Sequence, residues 1–109
     1  MDSTAKIAAL NDALRAVAAG SGRVYVTAGI DALPMQDQVH IMWRVRDFSA
    51  FTPDNDPYGE HDFGSFEYDG KKIYWKIDYY DRQLEFGSPD PADESVTTRV
   101  LTVLLAEEC

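Results

Sequence analysis

Asp69-Gly70 stands between two runs of alternating residues, and no other feature fixes so much of what this chain can become. Asp-Gly is a favoured pair for a two-residue hairpin turn, because both central positions of that turn need positive φ. A turn at this point sets Glu67 opposite Lys72 and Phe66 opposite Ile73. Phe66, Ile73, Trp75, Ile77 and Tyr79 then share one face, and Lys72, Tyr74, Lys76, Asp78 and Tyr80 share the other. A slip of one residue would set Phe66 against Lys72 and mix the faces, so burial selects one register. Residues 65–81 therefore read as a β-hairpin with a core face and a polar, tyrosine-bearing face. That second face is either solvated or a binding patch. A third short strand is expected at 83–87.

The remaining elements follow from spacing. Ile7, Leu10, Leu14 and Val17 recur at three- and four-residue steps, which predicts a helix over 3–19. Ser3 is its expected N-cap and Gly20 its expected stop. Residues 23–28 read as a strand, with Val24 and Val26 on one side and Tyr25 and Thr27 on the other. Pro34 suits the first turn of a second helix that runs to about Asp47. Its two apolar rows, Val39/Met42/Trp43 and Ile41/Val45/Phe48, predict burial between neighbours. Trp43 and Trp75 are both expected in the core, and His40 on the surface. Residues 49–64 hold Pro, Asp, Asn and Gly at turn density and read as a long loop. Ser88-Pro89-Asp90-Pro91 is a rigid turn. For 94–107 a helix is preferred, with Val96, Val100, Val103 and Leu104 as its stripe and Asp93 and Glu94 at its start. The valines and threonines of that segment also fit a strand.

A chain of 109 residues is the size of one domain, and neither a linker nor an internal repeat divides it. Acids outnumber bases 19 to 10, a net charge of −9, so no basic surface offers itself to nucleic acid. Residues 1–50 carry five of each sign, so the whole excess lies in 51–109. No apolar run is long enough to cross a membrane. Asp2, Asn11, Asp12 and Arg15 interrupt any secretory signal, although Ala18-Ala19-Gly20 imitates a cleavage site. The one cysteine, Cys109, excludes an internal disulfide and fits a reducing, cytoplasmic setting.

The densest chemistry lies in Asp54-Asn55-Asp56-Pro57-Tyr58-Gly59-Glu60-His61-Asp62. Its carboxylates repel one another, so a cation, backbone N–H groups or bases from elsewhere must compensate. Asp54, Asp56 and Gly59 match the first, third and sixth places of a calcium loop. Tyr58 at the fifth place and Ser65 at the closing place break that match. Asp54, Asp56, Glu60, His61 and Asp62 remain weak candidates for some other cation. No phosphate loop or dinucleotide fingerprint is present. The plain alternative is structural: Asp and Asn cap turns, and His61 bridges the loop.

The stretches FTPDNDPYGEHDFG at 51–64, WKIDYYD at 75–81, GSPDPAD at 87–93 and TRVLT at 98–102 resemble a bacterial family catalogued as domain of unknown function 3768. IAALNDALR at 7–15 fits it too. The chain departs from the pattern at Asp93-Glu94-Ser95 and at Cys109. The resemblance implies a small single-domain protein with no assigned activity, and it supplies no catalytic residue.

The expected fold is α+β, one domain over 1–109 in the order α-β-α-β-β-(β)-α. A small antiparallel sheet of three to four strands carries its helices on one face. The expected function is a non-catalytic, cofactor-free protein-interaction module. Asp54, Asp56, Tyr58, Glu60, His61 and Asp62 of the loop, with Tyr74, Asp78 and Tyr80 of the strand, would meet a basic protein surface. Direct contact with nucleic acid or membrane is not expected. The alternatives are an acidic nucleic-acid mimic that blocks a basic nucleic-acid-binding protein, and a cation-dependent site or enzyme at the loop.

Overall fold

A computed structural model of the chain describes residues 3–17 and 22–109. The expected stop at Gly20, the helical positions 18 and 19 and the Ala18-Ala19-Gly20 stretch lie outside the described residues, as does the side chain of Val17.

Among the described residues the chain is α+β. Helix α1 (Ser3–Val17) is followed by strand β1 (Arg23–Val26), a single helical turn α2 (Ala28–Asp31) and helix α3 (Met35–Arg46). Strands β2 (Phe63–Tyr68), β3 (Lys71–Tyr80) and β4 (Thr98–Leu105) complete a four-stranded sheet in the order β1-β4-β3-β2. Ser3 is the first residue of α1 rather than a cap outside it, and Pro34 stands just before α3.

The hairpin forms in the predicted register, with Glu67 paired to Lys72 and Phe66 to Ile73. Asp69 and Gly70 both take positive φ, 51° and 75°, as the tight turn demands. Ile73, Trp75 and Ile77 are buried. They form one core with Leu14 of α1, Ile30 of α2, Ile41 and Val45 of α3, and Leu101, Val103 and Leu105 of β4. All three helices therefore pack on one face of the sheet.

Four expectations need correction. Residues 98–105 form β4, not a helix. As an inner strand β4 is apolar on both sides, and a short, continuous apolar run has no period that separates strand from helix. The sheet is mixed rather than antiparallel, because β1 lies parallel to β4, with Arg23 beside Val100 and Val26 beside Val103. Residues 83–87 form no strand. A bridge joins Tyr80 to Gly87, and the Asp81 carboxylate gathers the N–H groups of Gln83 and Glu85 into a turn. Trp43 is 53% exposed, because α3 buries its Ile41/Val45 row and turns Val39 and Trp43 outward.

Candidate functional site

Residues 47–62 form an irregular segment that leads into β2. Asn55 and Thr52 cap each other: Thr52 N–H donates to Asn55 Oδ1 at 2.9 Å, and Asn55 N–H to Thr52 Oγ1 at 3.3 Å. Asp56 is turned inward and only 8% exposed. Its carboxylate accepts the N–H groups of Glu60 and His61 at 3.1 and 3.2 Å. Positive φ at Gly59 (70°) and His61 (56°) bends the chain back far enough for those bonds.

His61 then reaches helix α1. Its Nδ1 donates to Asp12 at 2.9 Å, and its Nε2 stands 3.8 Å from Asp56. The ring stacks flat on Phe51, with centroids 4.0 Å apart. Arg15, buried beside Asp12, donates to that carboxylate at 2.8 Å and to the carbonyls of Val45 and Phe48 at 2.8 and 3.0 Å. It thereby serves the last carbonyls of α3 as a basic C-terminal cap. Its guanidinium lies 4.7 Å from the centre of the Trp75 ring.

A second set of bonds centres on Asn11, which is fully buried. Its amide donates to the Glu60 carbonyl at 3.0 Å and to Tyr79 Oη at 2.8 Å, and its carbonyl accepts from Arg99 Nε at 2.8 Å. Tyr79 Oη donates to the Glu60 carboxylate at 2.9 Å, and Arg99 also donates to the Pro91 carbonyl. Burial raises the Tyr79 phenol well above its ordinary pKa, and its bond to Glu60 adds to the rise. Burial lowers the Arg99 pKa, opposed by Tyr79, Glu94 and Glu60. The Asp62 carboxyl is raised, first by burial and then by Glu60, Asp56 and Asp78.

The loop carboxylates are thus compensated by backbone N–H groups and by side chains from α1, β3 and β4. Asp56, Glu60 and His61 come together as the sequence suggests, on the helix side of the sheet. Asp54 and Tyr58 stay exposed. Asp54 and Asp56 do not share an environment, and among the described residues no three His, Cys, Asp or Glu side chains form a group that could hold a metal ion. Tyr74, Asp78 and Tyr80 lie on the opposite face of the sheet by strand alternation. Tyr74 packs there against Phe63, with centroids 5.4 Å apart. The loop interior and this tyrosine face are therefore two surfaces, not one.

Asn11, Asp12, Arg15, Phe51, Tyr79 and Arg99 complete the network without having been candidates. A signal for two of them exists. Asn11 and Arg15 are four residues apart and fall on the same helical face as Ile7, Ala8 and Leu14, which are buried.

The topology also sorts charge. The loop before β2 and the segment between β3 and β4 meet at one end of the sheet, where Asp62 O accepts the Ile77 N–H and Tyr80 pairs with Thr98. Asp54, Asp56, Glu60 and Asp62 enter that end from one side, and Asp81, Glu85, Asp90, Asp93 and Glu94 from the other. Tyr58 and Phe86 stand exposed in these two segments at 78% and 72%. No described helix is long and apolar enough to cross a membrane.

No curated protein and no solved structure gives a significant match to the chain. A family model does, over residues 26–108, which takes in the loop, the hairpin, the acidic turn and β4 but not the α1 side of the network. That span is most of the chain, and the chain belongs to the family described as Protein of unknown function (DUF3768).

Proposed function

We propose that the protein is a non-catalytic interaction module that binds a basic protein surface with the acidic end of its sheet. The single observation that carries this reading is the convergence of the 47–62 and 81–97 segments there. Those segments hold ten carboxylates, and each also carries an exposed aromatic ring, Tyr58 in the first and Phe86 in the second. Asp78 and Tyr80, at the end of β3, border the same region. Exposed aromatic side chains ringed by charge suit a protein contact, because the ring supplies buried area and the charge steers encounter.

The loop interior suits structure better than chemistry. Both nitrogens of His61 face carboxylates, and its ring is covered by Phe51. A nucleic-acid mimic needs a stripe of free carboxylates, whereas Asp56 and Glu60 are engaged inside the fold. The cation alternative has no converging donor set among the described residues.

The test is comparative affinity capture from source-cell lysate. The baits are the wild-type chain, a charge variant (Asp54→Asn, Asp78→Asn, Glu85→Gln) and an anchor variant (Tyr58→Ala, Phe86→Ala). A basic protein held by the wild type and lost by both variants is the expected result. Equal capture by all three baits would overturn the reading.

A further inference from the structure

Strand β2 is an edge of the sheet. Asp62 O accepts the Ile77 N–H, so the ladder bonds to β3 fall on alternate residues from Asp62 to Tyr68. The N–H and C=O groups of Phe63, Ser65 and Glu67 therefore point away from the sheet. Among the described residues only the Glu67 carbonyl of that set has a partner, the Arg44 guanidinium at 3.5 Å. The sequence FGSFEY holds neither the proline nor the lysine with which edge strands are blunted. We propose that an extended, basic segment of the partner adds to this edge as a further strand, with an apolar side chain seated between β2 and α3. This binding mode rests on the reading of the protein as a module for a basic partner.

The backbone selects the kind of occupant. Free donors and acceptors at strand spacing are matched by another extended backbone, which repeats them at the same interval. Alternation then sets the side chains. The open face of β2 carries Phe63, 36% exposed, and the exposed Glu67. Lys72, across the ladder from Glu67, is drawn over the Tyr74 ring, 5.6 Å from its centre. The Glu67 carboxylate is left for a lysine or arginine of the added strand. Asp62 leads into the Phe63 end of the edge, so the edge is continuous with the acidic end of the sheet. Charge also disfavours a second copy as the occupant, since two chains of net charge −9 repel each other.

On the helix side α3 walls the same edge. A cavity of about 330 Å³ is lined by His40, Trp43, Arg44, Asp47 and Tyr68. Tyr68 is the last residue of β2 and Arg44 reaches the outward Glu67 carbonyl, so the cavity opens along the edge. Three of its polar groups are engaged elsewhere. Tyr68 Oη donates to Asp37 at 2.7 Å, Arg44 lies over Phe66, 4.5 Å from the ring centre, and Asp47 is held by Arg46 at 2.9 Å. The ring surfaces of His40, Trp43 and Tyr68 remain, and they suit an apolar side chain. A strand with basic residues toward Glu67 and apolar residues toward the cavity satisfies both sides, because successive side chains alternate.

The test uses an end-capped octapeptide of alternating valine and lysine, with two further versions N-methylated at every lysine or at every valine. Binding is followed by titration and by amide hydrogen exchange. The unmethylated peptide is expected to bind and to slow exchange at the Phe63, Ser65 and Glu67 N–H groups. One methylated version should bind at least about tenfold more weakly than the other, because only one edge of the peptide faces β2. Ser65→Pro removes an outward donor but no ladder bond, and should weaken binding about tenfold or more while the inner amides of Phe66 and Ile73 stay protected. Trp43→Ala leaves the hairpin untouched and should weaken binding as well; unchanged affinity would remove the cavity from the mode. No binding at about 1 mM peptide, unchanged exchange at the three N–H groups, or equal binding of the two methylated versions overturns the strand addition. Lysate capture separates the two readings. A basic protein lost with the charge variant but retained by Ser65→Pro overturns only the strand addition, and one retained by the charge and anchor variants overturns both.

Discussion

Asn11 shows how one side chain can tie three parts of the chain together. It holds the Glu60 carbonyl, the Tyr79 hydroxyl and the Arg99 guanidinium at once, from a fully buried position on α1. An aliphatic side chain there would remove all three bonds; Tyr79 keeps the Glu60 carboxylate and Arg99 the Pro91 carbonyl, while the Glu60 carbonyl loses the amide donor, and the expected cost is about 1–3 kcal/mol. Asp62 presents the reverse balance. Its folded carboxyl is raised by burial and by Glu60, Asp56 and Asp78, so the native state holds the proton more tightly than the unfolded chain does. Stability from this group is greatest below the unfolded value of about 3.9, falls as pH rises toward the folded value, and is lost above it. Asp62→Asn removes the penalty. The variant is expected to melt above the wild type at pH 7, with the difference shrinking toward zero as the pH falls below about 3.9. Thermal denaturation across that range checks it, and a variant less stable at pH 7 would contradict it. The loop's candidates were readable from composition, because a run of carboxylates must be compensated. Their partners were not, since Asp12 and Arg99 are 49 and 38 residues from His61 and no local pattern links them.

Elements differ in how plainly they announce themselves. The β2–β3 hairpin is written in the sequence: its turn pair and its alternation agree, and only one register buries Phe66, Ile73, Trp75 and Ile77 together. β4 is not, because TRVLTVLL is apolar on both faces and its period carries no information. Only the neighbours, β1 on one side and β3 on the other, make it a strand. Gly64 marks a tighter constraint inside β2. A Cβ there would lie 2.6 Å from Cε2 of Trp75, a ring that is itself fully buried and held against Phe48, Phe51 and Arg15. The indole cannot retreat without disturbing that packing. Gly64→Ala is expected to cost about 1–3 kcal/mol by overpacking, measurable by urea denaturation. Gly70→Ala meets no neighbour within 4 Å and acts only through its positive φ, so it isolates turn strain from overpacking.

At the scale of the whole molecule, strand order converts a linear excess of acid into a polarised body. The 47–62 and 81–97 segments are separated by the hairpin in sequence, yet they meet at one end of the sheet because β2 and β3 are antiparallel. Their carboxylates repel across that end, and salt screens them over about 8–10 Å near physiological ionic strength. The wild type is therefore expected to gain thermal stability between low and moderate sodium chloride. Asp54→Asn/Glu85→Gln should be more stable at low salt and respond less to its addition. Melting curves at several salt concentrations check this, and parallel salt responses in the two proteins would contradict it. The charge asymmetry between the two halves was legible from the start. That two acidic segments of that half would meet at one end of the sheet was not.

The order of residues specifies the hairpin and its register, the α+β class, the helices α1 and α3 and the place of the acidic excess along the chain. Each of these rests on local periodicity or on turn chemistry that acts over a few residues. Long-range packing makes β4 a strand, sets β1 parallel to it, buries one apolar row of α3 while exposing the other, and lets Asn11, Arg15 and Arg99 hold the loop in place. Those outcomes depend on which distant surfaces come to share one core, and a chain pattern records the burial of a residue without recording what buries it.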